Sequence, residues 1–277
     1  MRFDTRSLRK IILRLLLTVG ILLFFIPVLW TITTSFKAPK EIVTIPPTLF
    51  PKSFTNLKNY AEVFHRYQFM RFLLNTFVLC LSAVGVSLIV SSMAGYGFSK
   101  FQFPLKEPLF FAVIGVLMVP FHSVAVPLFF YMEKINLVDT FWGLLLPLLI
   151  SAFGVLLMRE GISTIPNDYI DAARIDGCSE VKIFRSIVLP MVKPSLAALA
   201  IIKFMWTWNE FFWPLLMITT PQKATVTLGL SYFTNVHFKE YQLIMSAATL
   251  SMLPLFLLFA VLRKWMIKAL TGTGLKA

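Results

Sequence analysis

The stretch Asn167–Pro194, NDYIDAARIDGCSEVKIFRSIVLPMVKP, decides how the 277-residue chain is read. It is a polar island between strongly apolar runs and is long enough to form structure of its own. Pro166 ends what precedes it, and Asn167 or Asp168 is placed to cap a helix start. Asp168 and Asp171 lie near the N-terminal end, where the helix dipole favours negative charge. Gly177 is expected to stop this helix in a left-handed backbone, which glycine adopts without a Cβ clash. Ser179 is placed to cap a second helix, whose apolar residues Val181, Phe184, Ile187 and Val188 recur at helical spacing before Pro190 breaks it. The spacing predicts two short helices hinged at a glycine, with Ala172 and Ala173 exposed on the first and small enough for another surface to approach its backbone. A surface loop with two amphipathic turns would show the same spacing, so spacing alone leaves docking element and plain connector both open.

What surrounds the island is membrane-like. Hydrophobic residues make up 57% of the chain and charged residues 14%, with a mean hydropathy of +0.78, whereas soluble domains average about 45–50% apolar and about 25% charged. A bilayer core about 30 Å thick needs roughly 20 apolar residues in a helix. Six such runs are present, near 11–33, 72–95, 108–131, 138–158, 195–218 and 242–262. The chain therefore reads as an all-α, polytopic membrane protein with six transmembrane helices. Residues 1–277 form one transmembrane domain, and 159–194 its cytoplasmic helical loop.

The formal charge of +13 does not point to nucleic acid, because the basic residues are dispersed at the ends of apolar runs instead of sharing one soluble face. It reports orientation. Six spans place both termini on one side, and the tails carry Arg2, Arg6, Arg9, Lys10, Arg263, Lys264, Lys268 and Lys276, so that side is cytoplasmic. The two loops sharing it carry Lys100 and Lys106, then Arg159, Arg174, Lys182, Arg185 and Lys193. The segment 34–71 disagrees: Lys37, Lys40, Lys52, Lys58, Arg66 and Arg71 face only Glu41 and Glu62, yet this topology puts it outside. The tails and the remaining loops outweigh it.

His65, His122 and His237 lack ligand spacing, so no metal site is expected. Cys80 falls in a span and Cys178 in a cytoplasmic loop, so they are not placed to pair. No GxxxxGK[ST] loop occurs, and the chain is not expected to bind ATP that way. The first apolar run is too long for a secretory signal and lacks a small-residue cleavage site, so it reads as an anchor. The second span carries Ser82, Gly85, Ser87, Ser91, Ser92 and Gly95, small residues that let helices approach closely, and reads as a buried helix. Pro120, Pro127, Pro147 and Pro254 are expected to kink their spans, either for a moving pathway or only to shape packing.

The fifth span holds charges that need explaining, since ionisable residues in a membrane helix are costly and face protein or water. In a continuous helix Lys203, Trp206, Glu210 and Trp213 share one face, with Asn209 beside them. An exposed indole face offers a stacking surface and amide or carboxylate groups bond hydroxyls, so Trp206, Asn209 and Glu210 are candidates for a substrate pathway. Trp213 also suits an interfacial belt, and Glu210 a bond to a partner subunit.

The order of residues in the island goes further than its spacing. DAARIDG at Asp171–Gly177, followed by IVLP at Ile187–Pro190, resembles the loop that defines permease subunits of ABC importers, whose consensus begins Glu-Ala-Ala, has a glycine four residues on and ends Leu-Pro. TTSFK at Thr33–Lys37, NLKNYAEVF at Asn56–Phe64, Asn75, AGYGFSKFQF at Ala94–Phe103, WNEFFWPL at Trp208–Leu215 and the closing GTGLKA resemble carbohydrate-uptake permeases, in the branch typified by the smaller permease of maltose importers. The matching order covers most of the chain. Asp171 stands where glutamate is usual and Cys178 where alanine is usual.

The resemblance implies a multi-pass subunit of a prokaryotic inner or plasma membrane, paired with a second permease to form a pathway for a sugar or sugar derivative. It implies two ATPase subunits, contacted through Asp171, Ala172, Ala173, Asp176, Gly177, Leu189 and Pro190, and an extracytoplasmic solute-binding protein that the outer loop Thr219–Glu240 would approach. ATP and Mg would be bound by the partner ATPase, with no cofactor and no catalytic residue in this chain. An ion-gradient-driven secondary transporter is the alternative from another class, and would need intramembrane ion sites and typically internal repeats.

Overall fold

The computed structural model describes residues 5–42, 44–66, 68–233 and 240–272. Arg2, Asn235, His237, Lys239, Lys276 and the rest of the closing segment after Gly272 lie outside the described residues. Among those described, all regular structure is helical.

Three helices are long and apolar enough to cross a bilayer unbroken: α1 (Thr5–Ser35) through Ile12–Ser35, α3 (Phe69–Lys100), and α13 (Tyr241–Gly272) through Tyr241–Arg263. The short helix α2 (Lys58–Arg66) precedes α3. The expected third and fourth spans are each bent. Lys106–Met118, which contains α4 (Lys106–Gly115), meets α5 (Phe121–Lys134) at 96° across Pro120. Phe141–Leu148, which contains α6 (Phe141–Leu145) and Pro147, meets α7 (Ala152–Ser163) at 41°. Proline lacks the amide hydrogen that would continue the ladder, so the chain bends near both residues. Counting each bent pair as one span gives up to six.

The chain forms two compact units, one from Met1–Phe69 with Leu230–Leu253 and the other from Met70–Gly229 with Pro254–Ala277. In the first, the last carbonyls of α1 have no helical partner and take side-chain donors instead. Asn59 Nδ2 donates to Ser35 O at 2.7 Å and Lys37 O at 2.9 Å, and Ser246 Oγ to Ser35 O at 3.0 Å.

In the second unit α3 buries one face only: Cys80, Ala83, Ser87, Ser91, Ser92 and Tyr96 are buried, while Leu81, Val86, Ile89, Val90 and Met93 are exposed. The expectation of a wholly buried helix is thereby corrected to one small-residue stripe. The stripe serves close approach. A Cβ on Gly95 would stand 2.7 Å from the Met158 Cβ, and one on Gly154 of α7 would stand 2.4 Å from Ser91 Oγ.

The fifth span departs most from expectation. After the loop helices, α10 (Lys193–Asn209) ends at Asn209, and Glu210 is extended with ψ 123° before α11 (Phe212–Met217). The chain then turns through Thr219–Ala224 into α12 (Val226–Ser231).

Candidate functional site

The polar island folds as two short helices turned about Gly177. The first, α8 (Asn167–Ile175), starts directly after Pro166 and has no side-chain cap, so neither Asn167 nor Asp168 caps it. Asn167 is already helical, and its Oδ1 instead accepts from Lys100 Nζ at 2.9 Å, while the same ammonium donates to Ile165 O at 2.5 Å. The C-terminal end is a six-to-one, five-to-two turn: Cys178 N donates to Ala173 O and Gly177 N to Arg174 O, each at 3.0 Å. That turn needs a left-handed residue, and Gly177 supplies it at φ +75°.

The second helix, α9 (Glu180–Ile183), is capped by Ser179 Oγ, which accepts from Lys182 N at 3.4 Å. It does not break at Pro190. The backbone passes into a π-turn at Phe184–Val188 and continues helically through Leu189–Met191 before leaving at Val192. The wider turn makes room for the proline ring and its missing donor, so the break falls at Val192, where the axis bends by 78° into α10.

Burial separates the two faces of α8. Ile170 and Ala173 join Tyr96, Met158, Ile162, Ile165, Ile183, Val188, Val192 and Leu199 in one apolar core. Ala173 is 7% exposed, which corrects its expected exposure: it stands three residues from Ile170 and shares its inward face. Ala172 is outward, with Asp168, Asp171 and Asp176. Tyr169 and Ile175 are outward too, Ile175 at 86% exposed, and Val181 of α9 is exposed beside them. Helical spacing puts Ile175 opposite the face of Ile170 and Ala173 and Tyr169 at the edge of that face. Leu189 is half-buried and Pro190 exposed.

A polar clasp spans the glycine turn. Arg174 Nε donates to Glu180 Oε1 at 2.7 Å and its Nη1 to Asp171 Oδ1 at 3.1 Å, while Tyr96 Oη donates to Glu180 Oε2 at 2.8 Å. The hydrogen bond from Arg174 holds the Glu180 carboxyl below its ordinary value, with Tyr96 adding to it against the opposing effect of burial. Arg174 and Glu180 are six apart across a non-helical turn, and helical periodicity gives no signal for their pairing.

The expected stripe of the fifth span does not exist as one face, because the helix ends at Asn209. Trp206 is exposed and meets Phe153 edge-on at 5.3 Å, and Asn209 Nδ2 donates to Met205 O at 2.8 Å. Glu210 Oε1 accepts from Trp213 N at 3.0 Å, capping the next helix. Trp213 is fully buried, with Nε1 donating to Gly143 O at 3.1 Å, so it is no interfacial belt residue. Lys203 is buried on α10.

A second polar cluster joins the turn after α5 to the turn after α11. Asp139, at φ +58°, accepts from Thr219 N at 3.1 Å, Thr220 N at 3.0 Å, Thr220 Oγ1 at 2.7 Å and Lys223 Nζ at 2.7 Å. Burial alone would raise its carboxyl, but the Lys223 and threonine hydrogen bonds prevail and hold it well below the usual carboxylate range. Asn75 Nδ2 donates to Gln222 O at 2.9 Å and Ala224 O at 3.0 Å.

Residues 87–272 match the family described as binding-protein-dependent transport system inner membrane component. The arabinooligosaccharides transport system permease protein AraQ of Halalkalibacterium halodurans is 33% identical over 96% of this chain and 97% of its own length. The sn-glycerol-3-phosphate transport system permease protein UgpE of Rhizobium meliloti is 30% identical over 98% and 99% respectively. The lactose transport system permease protein LacG of Rhizobium radiobacter is 29% identical over 97% of both chains. Among solved structures, a chain of a bacterial ABC transporter involved in the import of the acidic polysaccharide alginate superposes with a TM-score of 0.85 at 20% identity, covering 96% of this chain and 99% of that one. A chain of a bacterial alginate ABC transporter in complex with an alginate pentasaccharide-bound periplasmic protein gives a TM-score of 0.64 at 16% identity, covering 95% and 96%.

Proposed function

Since the chain belongs to the family of binding-protein-dependent transport system inner membrane components and is a sugar ABC transporter permease, we propose that it forms, with a second permease, the pathway through which ATP hydrolysis drives uptake of a sugar or sugar derivative. The whole chain acts as one permease domain. The observation that carries the coupling is the outward face of α8, where Ala172 sits between Tyr169 and Ile175 on a helix fixed from behind by Ile170 and Ala173. Small and apolar side chains on a firmly seated helix suit a protein partner, and we assign that partner as the ATPase. Asp171, Asp176, Gly177, Leu189 and Pro190 belong to the same element. Ala173 serves it from the core side.

The polar ties are consistent in side with the six-span topology, and the basic tails assign both termini to the cytoplasm. Lys100 to Asn167 and Arg159 to Glu107 each join segments assigned inside. Asp139, just before the bent pair of the fourth span begins at Phe141, ties to Lys223, and Asn75, near the outer end of α3, ties to Gln222, both in the loop assigned outside. The Thr219–Ala224 turn, held by Asp139, then faces the extracytoplasmic binding protein. The substrate class follows the relatives, whose names span oligosaccharides, a disaccharide and a polyol phosphate. Trp206 and Asn209 present exposed side chains and stay candidates for the pathway, whereas Glu210 acts through the helix it caps.

Reconstitution tests the proposal. The chain alone in vesicles should neither hydrolyse ATP nor accumulate solute, and adding the second permease, the ATPase and the loaded binding protein should restore both. Solute accumulation by the isolated chain under an ion gradient would establish the secondary transporter instead.

A further inference from the structure

Within the unit formed by Met70–Gly229 and Pro254–Ala277, three spans are interrupted by extended residues: Pro120 in the third, Ser151 in the fourth and Glu210 in the fifth. Ring contacts gather these breaks. Phe121 and His122, just after the first, meet Trp213 and Phe212, just after the last, with centroids 5.8 and 4.7 Å apart. Phe153, just after the second, meets Trp206, shortly before Glu210, at 5.3 Å. The junction lies deep, since Pro120 is midway between Lys106 and Lys134, the lysines that end its span. Polar side chains are exposed there: His122 and Ser123 on α5, and Asn209 at the end of α10. His122 has the Phe121 and Phe212 rings as neighbours and makes no hydrogen bond among the described residues. Asn209 gives its Nδ2 to Met205 O, and its amide oxygen is free among the described residues.

Interrupted backbone and exposed polar groups at this depth are stable against protein or water and costly against lipid. Next to them along the chain, Trp206 and Phe211 are 56% and 40% exposed and offer apolar ring faces. A ligand with an apolar ring face and a rim of hydroxyls matches that pairing, because the aromatic rings cover its C–H face while the imidazole nitrogens and the Asn209 amide oxygen take its rim. Charge narrows the class. The runs 108–132, 141–158 and 195–217 hold only Lys203 and Glu210 as charged residues. Lys203 is 7% exposed, and Glu210 already accepts from Trp213 N. The runs that form the junction thus present no exposed lysine or arginine to neutralise a phosphate or a carboxylate.

We propose that the pathway crosses this junction, that its cargo is an uncharged sugar, and that His122 is a specificity-determining residue. The imidazole and Asn209 bond the hydroxyls of the sugar while Trp206 covers its ring. The inference rests on the reading of the chain as a sugar permease, and the test separates the two.

The complete complex is reconstituted in vesicles, with Cys178→Ala leaving the buried Cys80 as the one cysteine of this chain. A charged, impermeant methanethiosulfonate should label His122→Cys, and Ser123→Cys beside it, at least about tenfold faster than this background, read by mass spectrometry of the chain. Labelling of both at the background rate puts the imidazole against lipid or the second permease and overturns the site. Uptake is then followed with radiolabelled maltose, cellobiose, glucose 6-phosphate and glucuronate. The unaltered complex should favour the uncharged sugars, and preference for either anion overturns the assigned class. His122→Phe keeps a ring against Phe212 but removes both nitrogens, so the complex should assemble while uptake falls about three- to tenfold and the maltose-to-cellobiose ratio shifts; His122→Gln should restore most of the rate. Unchanged rate and ratio in His122→Phe overturn the specificity role. If that variant does not assemble, the labelling of the two cysteine variants decides. Uptake of no sugar by the unaltered complex, despite fast labelling, would fall on the sugar-permease reading and take this inference with it.

Discussion

Arg174 reaches across the Gly177 turn to the carboxylate of Glu180 at 2.7 Å, and the other oxygen of that carboxylate is held by Tyr96 of α3 at 2.8 Å. The two loop helices are therefore not a free hinge. On the proposed coupling role, a push on the outward face of α8 would reach a membrane-spanning helix through Arg174 and Glu180, and the core that the same helix shares with α7 through Ile170 and Ala173.

The clasp can be removed with little harm to the fold. Arg174 and Glu180 are each roughly two-fifths exposed, so the ion pair contributes at most about 1 kcal/mol, and the tyrosine hydrogen bond about 1 kcal/mol more. Glu180→Ala should leave the protein folded with a melting point lowered by only a few degrees. In the reconstituted complex it should cut solute carried per ATP hydrolysed. Tyr96→Phe should show the same uncoupling in milder form. Unchanged stoichiometry in both would reduce the clasp to a surface decoration.

Ala172 and Ala173 are adjacent, yet they should fail in different ways. Ala172→Leu enlarges an exposed residue, so stability should move by no more than about 0.5 kcal/mol while stimulation of the ATPase is lost. Ala173→Leu forces three extra carbons into the core against Met158 and Ile183, and should destabilise by about 1–3 kcal/mol. Cysteine cross-linking checks the assignment directly. Ala172→Cys should form a cross-link to the ATPase, and Ala173→Cys should not.

The contrast between these two alanines shows what the sequence conveys. The length of continuous apolar runs located the unbroken spans, stop and start signals the first loop helix, and apolar periodicity the second. Spacing ties Ala173 to the face of Ile170, but it does not say that this face is the one turned inward, which is set by distant partners such as Met158. Prolines marked the bends but not the positions where the chain gives way. Pro190 is carried inside a helix by a π-turn, and the break falls at Val192. The fifth-span stripe failed for a related reason: Glu210 was read as one more helical position, whereas its carboxylate competes for the Trp213 amide and starts a new helix. The Arg174–Glu180 and Asp139–Lys223 pairs join residues with no periodic relation, and only the folded chain brings them together.

That reading of Glu210 is testable. Glu210→Gln keeps an oxygen acceptor for the Trp213 amide and should assemble and transport nearly as the unaltered chain does. Glu210→Ala removes it and should destabilise by about 1 kcal/mol. Thermal unfolding of the purified chain measures the difference. Altered sugar preference in Glu210→Gln with normal stability would return the residue to the substrate pathway.

Asp139 makes a prediction about pH. Its carboxyl titrates far below the usual range in the folded chain because Lys223, Thr220 and Thr219 bond the ionised form. A depressed folded value means that stability is gained once the unfolded carboxyl is ionised, above its ordinary value of 3.8, and is lost as pH falls towards the folded value. The stability difference between the unaltered chain and Asp139→Asn should thus be constant from neutral pH down to the ordinary carboxylate range and shrink below it. A difference that already fades between pH values near those of histidine would show that another group carries the effect.

Gly177 sits where two demands meet. The turn that ends α8 requires φ +75°, and in that backbone a side chain with a Cβ costs roughly 1–2 kcal/mol. Among the described residues, none beyond its two chain neighbours lies within 4 Å of a Cβ built there, so the space itself is open. Strain and bulk can therefore be separated. Gly177→Asn tolerates the left-handed backbone and should keep most of the stability, Gly177→Val should lose the turn and the cap together, and Gly177→Asp adds charge to an outward surface that already carries Asp171 and Asp176. If this surface meets the ATPase, Asp should abolish substrate-stimulated hydrolysis while the protein remains inserted and folded. Stability is read by thermal unfolding, and coupling by ATPase stimulation with loaded binding protein. Full uptake by Gly177→Asp, with no cross-link from Ala172→Cys, would remove the loop from the coupling path.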